Sequence, residues 1–219
     1  MTSRMRCAPA LALLVAASLA SPGRADSISN VTVVYSNGYV FTNFDGPGAG
    51  NTVNTGTNMN GISNSGTAVG VSIDNGGGLH NFTVNPLTST TTTSANITGS
   101  PGAMAFGINF AGTVVGSDGN GNAFSLSGGT VNRFIPTNGT AATAFGINDN
   151  GVIVGQNTLA DGTMPGFIKN GSSYTTINAP TGSTSNVVNA QGINNNGQGL
   201  RTTFPWVFWG FHEKYKTFI

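Results

Sequence analysis

Short runs of alternating apolar and polar residues follow one another along the chain, and turns rich in Gly and Asn separate them. Residues 142–180 are typical: ATAFGIN alternates, NDNG follows, and VIVGQN, PGFIKNG and SSYTTINAP complete the segment. Runs of β-branched and aromatic residues between such turns are typical of strands. The pattern therefore predicts four strands in these 39 residues and an all-β mature chain without helices.

One decapeptide recurs at a nearly constant interval. Its copies are GISNSGTAVG from Gly61, GINFAGTVVG from Gly107, GINDNGVIVG from Gly146 and a broken copy, GINNNGQGL, from Gly192. Their starts are 46, 39 and 46 residues apart. A period of about 40 residues indicates a tandem array of small supersecondary units.

The decapeptide has a mechanical interpretation as a hairpin. In the copy from Gly146, the pair Asn150-Gly151 tolerates the positive φ that a tight hairpin requires. We expect Asn148 to hydrogen-bond its own backbone two residues on. We also expect Gly146 and Gly155 to lie where a side chain would obstruct a neighbouring backbone.

A second motif, a strand that stops at a proline, closes each unit. The motif reads FTNFDGP from Phe41, VNRFIP from Val131 and YTTINAP from Tyr174. We expect each strand to end at its proline, because proline cannot donate to the hydrogen-bond ladder of a sheet. HNFTVNP from His80 departs from it and is followed by a threonine tract at 88–93, for which we predict a strand with a hydroxyl-rich face.

Four strands in about 40 residues match one blade of a β-propeller. We predict an all-β, propeller-like array over residues 26–198, about four units with the first and last partial; a β-solenoid or an open repeat array is the alternative. The segment 31–47 is typical of the last two strands of a unit. If those strands completed the last unit, the array would close with four blades.

Residues 1–25 have the layout of a secretory signal peptide. Arg4 and Arg6 precede a short apolar run at 8–20, and small residues lead up to a cleavage point before Asp26. A retained membrane anchor is the alternative, but the apolar run is too short to span a bilayer. We expect an exported protein that is extracellular, periplasmic or on the cell surface.

Composition limits the function further. The only cysteine, Cys7, lies in the leader, so we expect no disulfide and no thiol chemistry in the mature chain. Charged residues make up 7% of the sequence, against about a quarter in ordinary soluble proteins. Without a basic patch, nucleic-acid binding is excluded.

Residues 199–219 differ in character from the repeats. They contain both tryptophans, the only glutamate and two of the three lysines. One interpretation is an aromatic edge strand or membrane-interface anchor, since Trp and Tyr favour that boundary. The other, which we favour, is an abrupt frame change that truncates a longer repeat array.

No catalytic constellation is present in the sequence. His80 and His212 are the only histidines, and neither an HExxH nor a GxSxG motif occurs. The aspartates of the repeats all have Gly or Asn beside them, as turn-forming residues do; they are Asp45, Asp74, Asp118, Asp149 and Asp161. We therefore predict that the protein is not an enzyme.

The best candidate ligand in the sequence is calcium. Asp118, Asn120 and Asn122 place oxygen-bearing side chains at alternate positions, as in the first half of a calcium loop. The distant bidentate glutamate of such loops is missing. We name these three residues as a weak metal site and expect no other cofactor.

In series, the motifs resemble the bacterial extracellular repeats called the HAF family. The order AFGIN-xx-G-xVVG is followed by a short strand, and HNF from His80, NAF from Asn122 and PGF from Pro165 stand at its His-Ala-Phe position. The resemblance covers residues 31–198. It implies an exported, propeller-like protein of unassigned activity, often in the cell envelope or matrix, and the family has no agreed catalytic residues.

The function expected is therefore a structural or interaction role, with extracellular polysaccharide or other envelope proteins as partners. The alternative is a carbohydrate- or peptide-binding module, because loops on a rigid scaffold commonly carry binding. A propeller-type glycosidase ranks last. We expect no transmembrane span in the mature chain.

Overall fold

The computed structural model describes residues 29–36, 39–85, 93–94, 102–181, 183, 185–203 and 214–218, and the predicted leader lies outside them. Within these ranges the chain is all-β, as predicted, and forms seventeen strands and no helix. The strands are β1 Ser29–Ser36, β2 Tyr39–Asp45, β3 Gly56–Ile62, β4 Ala68–Ile73, β5 Leu79–Val84, β6 Thr93–Ser94, β7 Met104–Ile108, β8 Val114–Ser117, β9 Ala123–Ser127, β10 Thr130–Phe134, β11 Gly139–Ile147, β12 Ile153–Leu159, β13 Gly166–Asn170, β14 Ser173–Ile177, β15 Val188–Ile193, β16 Gly199–Thr203 and β17 Lys214–Phe218.

The strands form antiparallel sheets of sequential neighbours, which we number as units. Unit 1 is β3–β6, unit 2 is β7–β10 and unit 3 is β11–β14, each a four-stranded meander. Unit 4 is the three-stranded sheet β15–β17, and β1 pairs with β2 alone. Each recurring decapeptide forms the first hairpin of a unit, as its turn chemistry predicts.

Inside units 1 to 3, a glycine of the second strand faces a phenylalanine of the third. The pairs in register are Gly70–Phe82, Gly116–Phe124 and Gly155–Phe167. A Cβ on Gly116 would lie 2.0 Å from the carbonyl oxygen of Met104 and 2.7 Å from the Phe124 ring. Glycine therefore lets the aromatic ring lie directly on the neighbouring strand, where it is fully buried.

Successive units pack through their first strands. A Cβ on Gly61 would lie 2.8 Å from the Phe106 carbonyl oxygen, and one on Gly107 would lie 2.9 Å from that of Phe145. The register shifts immediately before each of these glycines, as at a β-bulge. The bulged glycine allows the backbones of two units to approach this closely.

The apolar core lies between units. Val69 of unit 1 packs with Ala105, Ile108 and Phe124 of unit 2. Val115 of unit 2 packs in the same way with the buried residues of unit 3. As in other repeat arrays, each unit is thus stabilised mainly by its neighbours.

The junction between units 4 and 1 lacks this packing, and we call it the seam. Leu200 of unit 4 stands at the position of Val69 and Val115, which are fully buried, yet it is 41% exposed. Ile62 of unit 1 is 69% exposed, whereas its counterpart Ile108 is 6% exposed. Within the described part of the chain, no heavy atom lies within 4 Å of a Cβ built on Gly192, the unit 4 counterpart of Gly107.

The chain ends do not form complete units. Strands β1 and β2 do not complete the last unit, since among the described residues they pair only with each other. Unit 4 instead has its second and third strands, β16 and β17, within residues 199–219, and these two strands pair antiparallel. Both interpretations of that segment, the aromatic edge strand and the frame change, stay predictions.

Candidate functional site

In units 2 to 4, an asparagine side chain shapes the turn between the first and second strands. Its Oδ1 accepts a hydrogen bond from the backbone amide four residues on, which closes the turn. The pairs are Asn109 with Thr113, Asn148 with Val152 and Asn194 with Gln198, each at 2.9 Å. We call these turns, with the equivalent turn at 63–67 in unit 1, the tip turns.

The same asparagines also join one tip turn to the next. Asn109 Nδ2 donates to the carbonyl oxygen of Asn148 at 3.2 Å, and Asn148 Nδ2 donates to that of Asn194 at 3.0 Å. Asn194 Nδ2 bonds Gln198 of its own turn, at 2.9 Å. These asparagine side chains thus link unit 2 to unit 3 and unit 3 to unit 4, and the series of inter-unit hydrogen bonds ends at the seam.

All four tip turns meet at the carboxylate of Asp149. Its Oδ1 accepts the backbone amide of Phe110 in unit 2 at 2.7 Å. Its Oδ2 accepts Nδ2 of Asn64 in unit 1 at 2.8 Å and Nδ2 of Asn195 in unit 4 at 2.7 Å. These four residues occupy the same position of the recurring decapeptide, and we call them the tip cluster.

The tip cluster favours the charged form of Asp149. The backbone amide of Phe110, followed by the side-chain amides of Asn195 and Asn64, holds the pKa of the Asp149 carboxyl below its usual value. Hydrogen bonds donated to a carboxylate stabilise the ion over the neutral acid. A single negative charge therefore lies where the four units converge.

A cavity of about 220 Å³ opens between the tip turns. Its apolar wall has one isoleucine from each unit, namely Ile62, Ile108, Ile147 and Ile193. Its polar lining comes from the turns themselves and consists of Ser63, Asn64, Asn148, Asp149, Asn194 and Asn195. Six of the ten lining residues are therefore polar, whereas small-ligand sites are usually lined mostly by apolar side chains.

Phe110 is the one aromatic member of the tip cluster. The equivalent residues of the other units are the polar residues Asn64, Asp149 and Asn195. The apolar side chain of Phe110 is nevertheless 62% exposed. Only its backbone amide is used by the cluster, at Asp149 Oδ1. The ring is therefore exposed to solvent and has no part in the hydrogen bonds of the cluster, and Phe110 is the one tip-cluster residue that does not line the cavity.

The structure brings the predicted calcium residues together as a turn. Asp118 Oδ1 accepts the backbone amides of Asn120 and Asn122, at 2.8 and 2.9 Å. Its Oδ2 accepts Asn122 Nδ2 at 2.9 Å and Arg133 Nε at 3.0 Å. Burial opposes the charge of Asp118, but these hydrogen bonds outweigh it and the pKa of its carboxyl lies below the usual value.

An arginine therefore stands where a metal ion would bind the Asp118 carboxylate. In the part of the chain that the structure describes, no three His, Cys, Asp or Glu side chains form a group that could hold a metal ion. Calcium binding by Asp118, Asn120 and Asn122 stays a prediction, and the geometry favours the arginine as the cation partner.

His80, the only histidine of the repeats, pairs with an aspartate. Its Nε2 lies 2.9 Å from Asp74 Oδ2, and Asp74 Oδ1 accepts the backbone amides of Gly76 and Gly78 at 2.8 Å each. The hydrogen bond with His80, followed by those from Gly78 and Gly76, lowers the pKa of Asp74. Among the described residues, no hydroxyl or thiol donates a hydrogen bond to the side chain of His80 or Asp74; the Ser72 hydroxyl bonds only the backbone carbonyl oxygen of His80, at 3.4 Å.

Asp161 belongs to a turn, as predicted from its Gly neighbour. Its Oδ1 accepts hydrogen bonds from both the backbone amide and the hydroxyl of Thr163, at 2.9 and 2.7 Å, and these bonds lower the pKa of its carboxyl.

The sequence did not reveal that the carboxylate of Asp149 joins the tip turns of all four units. The available signal was its alignment with Asn64, Phe110 and Asn195 in the decapeptide, but that alignment does not say that the four positions meet.

Comparison with known proteins gives no further identification: no family model, no curated protein and no solved structure matches the chain. Within the described residues, none of the chain forms a helix long and apolar enough to cross a bilayer.

Proposed function

We propose that the protein is an exported β-repeat scaffold of the cell envelope or matrix, propeller-like in architecture, which acts by binding and not by catalysis. The observation that carries the architecture is the hydrogen bonding of Asp149 to the tip turns of three other units. In a linear solenoid, units 1 and 4 would be separated by the two units between them. Here Asn64 and Asn195 bond the same oxygen atom.

The hydrogen bonds of the aspartate side chains support a role without catalysis. Asp74, Asp118, Asp149 and Asp161 each accept at least two hydrogen bonds from turn or tip residues. A glycosidase needs two convergent carboxyl groups at a substrate. Carboxylates that hold turns together have instead a structural task.

The apolar leader and the resemblance to the HAF repeats support the location. Both point to export, and the resemblance implies the envelope or matrix. Low charge and many Asn, Thr, Ser and Gly residues suit a surface that makes neutral hydrogen bonds to extracellular polymers. Extracellular polysaccharide and other envelope proteins are the partners that this surface fits.

The test is expression of the full chain with its leader in a bacterial host, followed by fractionation and intact-mass measurement. We expect a mature species that starts at Asp26, leaves the cytoplasm and sediments with envelope polysaccharide. The same material should release no sugar from a panel of polysaccharides. Retention in the cytoplasm, or hydrolysis that is lost in a variant of one named aspartate, would contradict the proposal.

Carbohydrate binding is the second candidate function. The cavity between the tip turns, with the hydroxyl of Ser63 and the side-chain amides of four asparagine residues in its lining region, is the observation that favours it. Binding of a peptide is the remaining alternative for the same place.

A further inference from the structure

We propose that the array is a ring that opens at the seam, and that the carboxylate of Asp149 is the clasp that holds the seam closed. Such a device goes beyond a scaffold function, because it gives the array two states and assigns the residue that selects between them. The reason lies in the four junctions between units, three of which are packed while the fourth is not.

Three of the junctions are held by buried contacts along their strands. Apolar packing joins unit 1 to unit 2 and unit 2 to unit 3, and a Cβ on Gly166 of unit 3 would lie 3.2 Å from the buried Val188 of unit 4. Each of these junctions also has hydrogen bonds between units. They include those of Asn81 with Ala105, Ala142 with Gly121, and Gln156 with Asn189. Opening any of these junctions would expose buried apolar surface, which is costly.

The seam lacks such contacts. Leu200 and Ile62, which occupy its two sides, are both exposed. No hydrogen bond between described residues joins unit 1 directly to unit 4. Asn194, whose counterparts Asn109 and Asn148 each reach the next unit, bonds within its own turn instead. The strands on the two sides of the seam are therefore not held to each other.

One carboxylate joins the two sides of the seam at the tip. Asp149 belongs to unit 3, and its Oδ2 accepts Asn64 Nδ2 of unit 1 at 2.8 Å and Asn195 Nδ2 of unit 4 at 2.7 Å. Hydrogen bonds to a charged group are stronger than those between neutral groups, but all three side chains are exposed, so water competes for these bonds. A junction with few buried contacts and exposed hydrogen bonds is the kind that opens at low free energy.

Unit 1 keeps its aromatic core covered without the help of unit 4. Phe124 of unit 2 packs against the preceding unit. Its unit 1 counterpart, Phe82, is fully buried too, but a Cβ on Gly46 would lie 2.5 Å from its ring, so the chain that leads into unit 1 covers it. The Ser72 hydroxyl donates to the carbonyl oxygen of Pro47 and fixes that segment. Separation of units 1 and 4 therefore leaves Phe82 buried.

Opening of the seam changes the cavity between the tip turns. Ile62 and Asn64 line it from unit 1, and Ile193 and Asn195 line it from unit 4. Separation of these two units widens the cavity and makes it accessible from the side of the ring. The clasp thus controls the shape of this cavity.

The test is pulsed electron paramagnetic resonance on the mature chain, with a spin label on each side of the seam. The labelled variant is Ser65→Cys/Asn196→Cys, because both residues are exposed in tip turns and neither side chain bonds Asp149. Ser65→Cys/Ala111→Cys, with labels across the packed junction of units 1 and 2, is the matched pair. We expect one narrow distance for each pair while Asp149 is present. A distance distribution reports both states, whereas an irreversible crosslinker collects closed molecules even where they are few.

Two variants release the clasp in different ways. Asp149→Ala removes the acceptor, whereas Asn64→Ala removes only the donor of unit 1 and leaves the carboxylate bonded to units 2 and 4. Both should lose the narrow distance across the seam and give longer ones, while the distance between units 1 and 2 stays narrow. Asp161→Ala is the matched control and should change neither distance, because that carboxylate lies in the same unit and accepts its hydrogen bonds from Thr163 of its own turn.

The proposal is overturned if either variant keeps the narrow distance across the seam, or if the labels on units 1 and 2 separate as well, which would mean a general loosening. A broad distribution across the seam with Asp149 intact would also overturn it, because the carboxylate would then not hold the seam. If Asp149→Ala does not fold, Asn64→Ala decides alone, since it removes a single exposed hydrogen bond.

Discussion

Gly107→Ala tests the close approach of consecutive first strands. The added Cβ would lie 2.9 Å from the carbonyl oxygen of Phe145, 3.1 Å from Val115 Cγ2 and 3.2 Å from the Cα of Gly146. The nearest neighbour is backbone, so either unit 3 or the bulged strand must move. Such overpacking costs about 1–3 kcal/mol, and in a domain of this size each kcal/mol lowers Tm by about 2–4 °C.

Gly192→Ala is the matched control for that prediction. Gly192 occupies the same decapeptide position in unit 4, and none of the described residues has an atom within 4 Å of a Cβ built on it. We expect a change in the free energy of unfolding within about 0.5 kcal/mol, as for other unobstructed substitutions. Urea unfolding followed by circular dichroism measures both variants on the mature chain.

Two outcomes of that experiment would refute the reasoning. If Gly107→Ala is as stable as wild type, the first strands of units 2 and 3 do not pack at the distance described. If Gly192→Ala is destabilised as much as Gly107→Ala, unit 4 is packed against a neighbour in solution and the seam is closed.

Three further predictions follow from the core and the carboxylates. Phe124→Ala should cost about 3–5 kcal/mol because it empties a fully buried site, whereas Leu200→Ala at the seam should cost much less in the same urea titration. The pKa of Asp149 is lowered on folding, so its stabilising effect is present above the unfolded pKa and is lost as pH falls through the folded pKa. The difference in Tm between wild type and Asp149→Ala should therefore shrink below the ordinary carboxyl pKa of 3.8, and a constant difference would count against the tip cluster. Millimolar calcium should leave Tm unchanged, because Arg133 already bonds Asp118; a rise in Tm with calcium would restore the metal prediction.

Local features of the fold could be predicted from the sequence because they depend on neighbouring residues. The expected obstruction at Gly155 is confirmed, since its Cβ would lie 2.0 Å from the carbonyl oxygen of Thr143. The expected bond from Asn148 to its own backbone is confirmed at the amide of Asn150, at 3.1 Å. Turn and strand chemistry of this kind is fixed within a few residues.

Features that depend on how units pack could not be predicted. Asp149 was interpreted as a turn former, and its contacts with Asn64 and Asn195 arise only when residues 85 and 46 positions away are brought to it. The pairing partner of β17 could not be predicted for a related reason. Pairing of β17 with β16 depends on which edge is free in space, and the composition of the tail carries no such information.

Failure of the repeat pattern in unit 4 has a local cause. Arg201 stands where Gly70, Gly116 and Gly155 stand in the other units. Its side chain extends to the carbonyl oxygen of Asn178, with Nη1 at 2.6 Å. Unit 4 therefore lacks, at this position, the glycine that lets a phenylalanine ring lie on the neighbouring strand in units 1 to 3.

Convergence of the four tip turns is the central claim, and crosslinking tests it most directly. The native cysteine lies in the leader, so the double variant Asn64→Cys/Asn195→Cys should give a mature chain whose only thiols are the two introduced ones. A short bis-maleimide should join these thiols within one molecule, and much faster than in the control Asn64→Cys/Ala160→Cys, where the exposed Ala160 follows the end of β12 that is remote from the tip turn. Crosslinks only between molecules, or at the rate of the control, would mean that units 1 and 4 do not meet and that the array is linear.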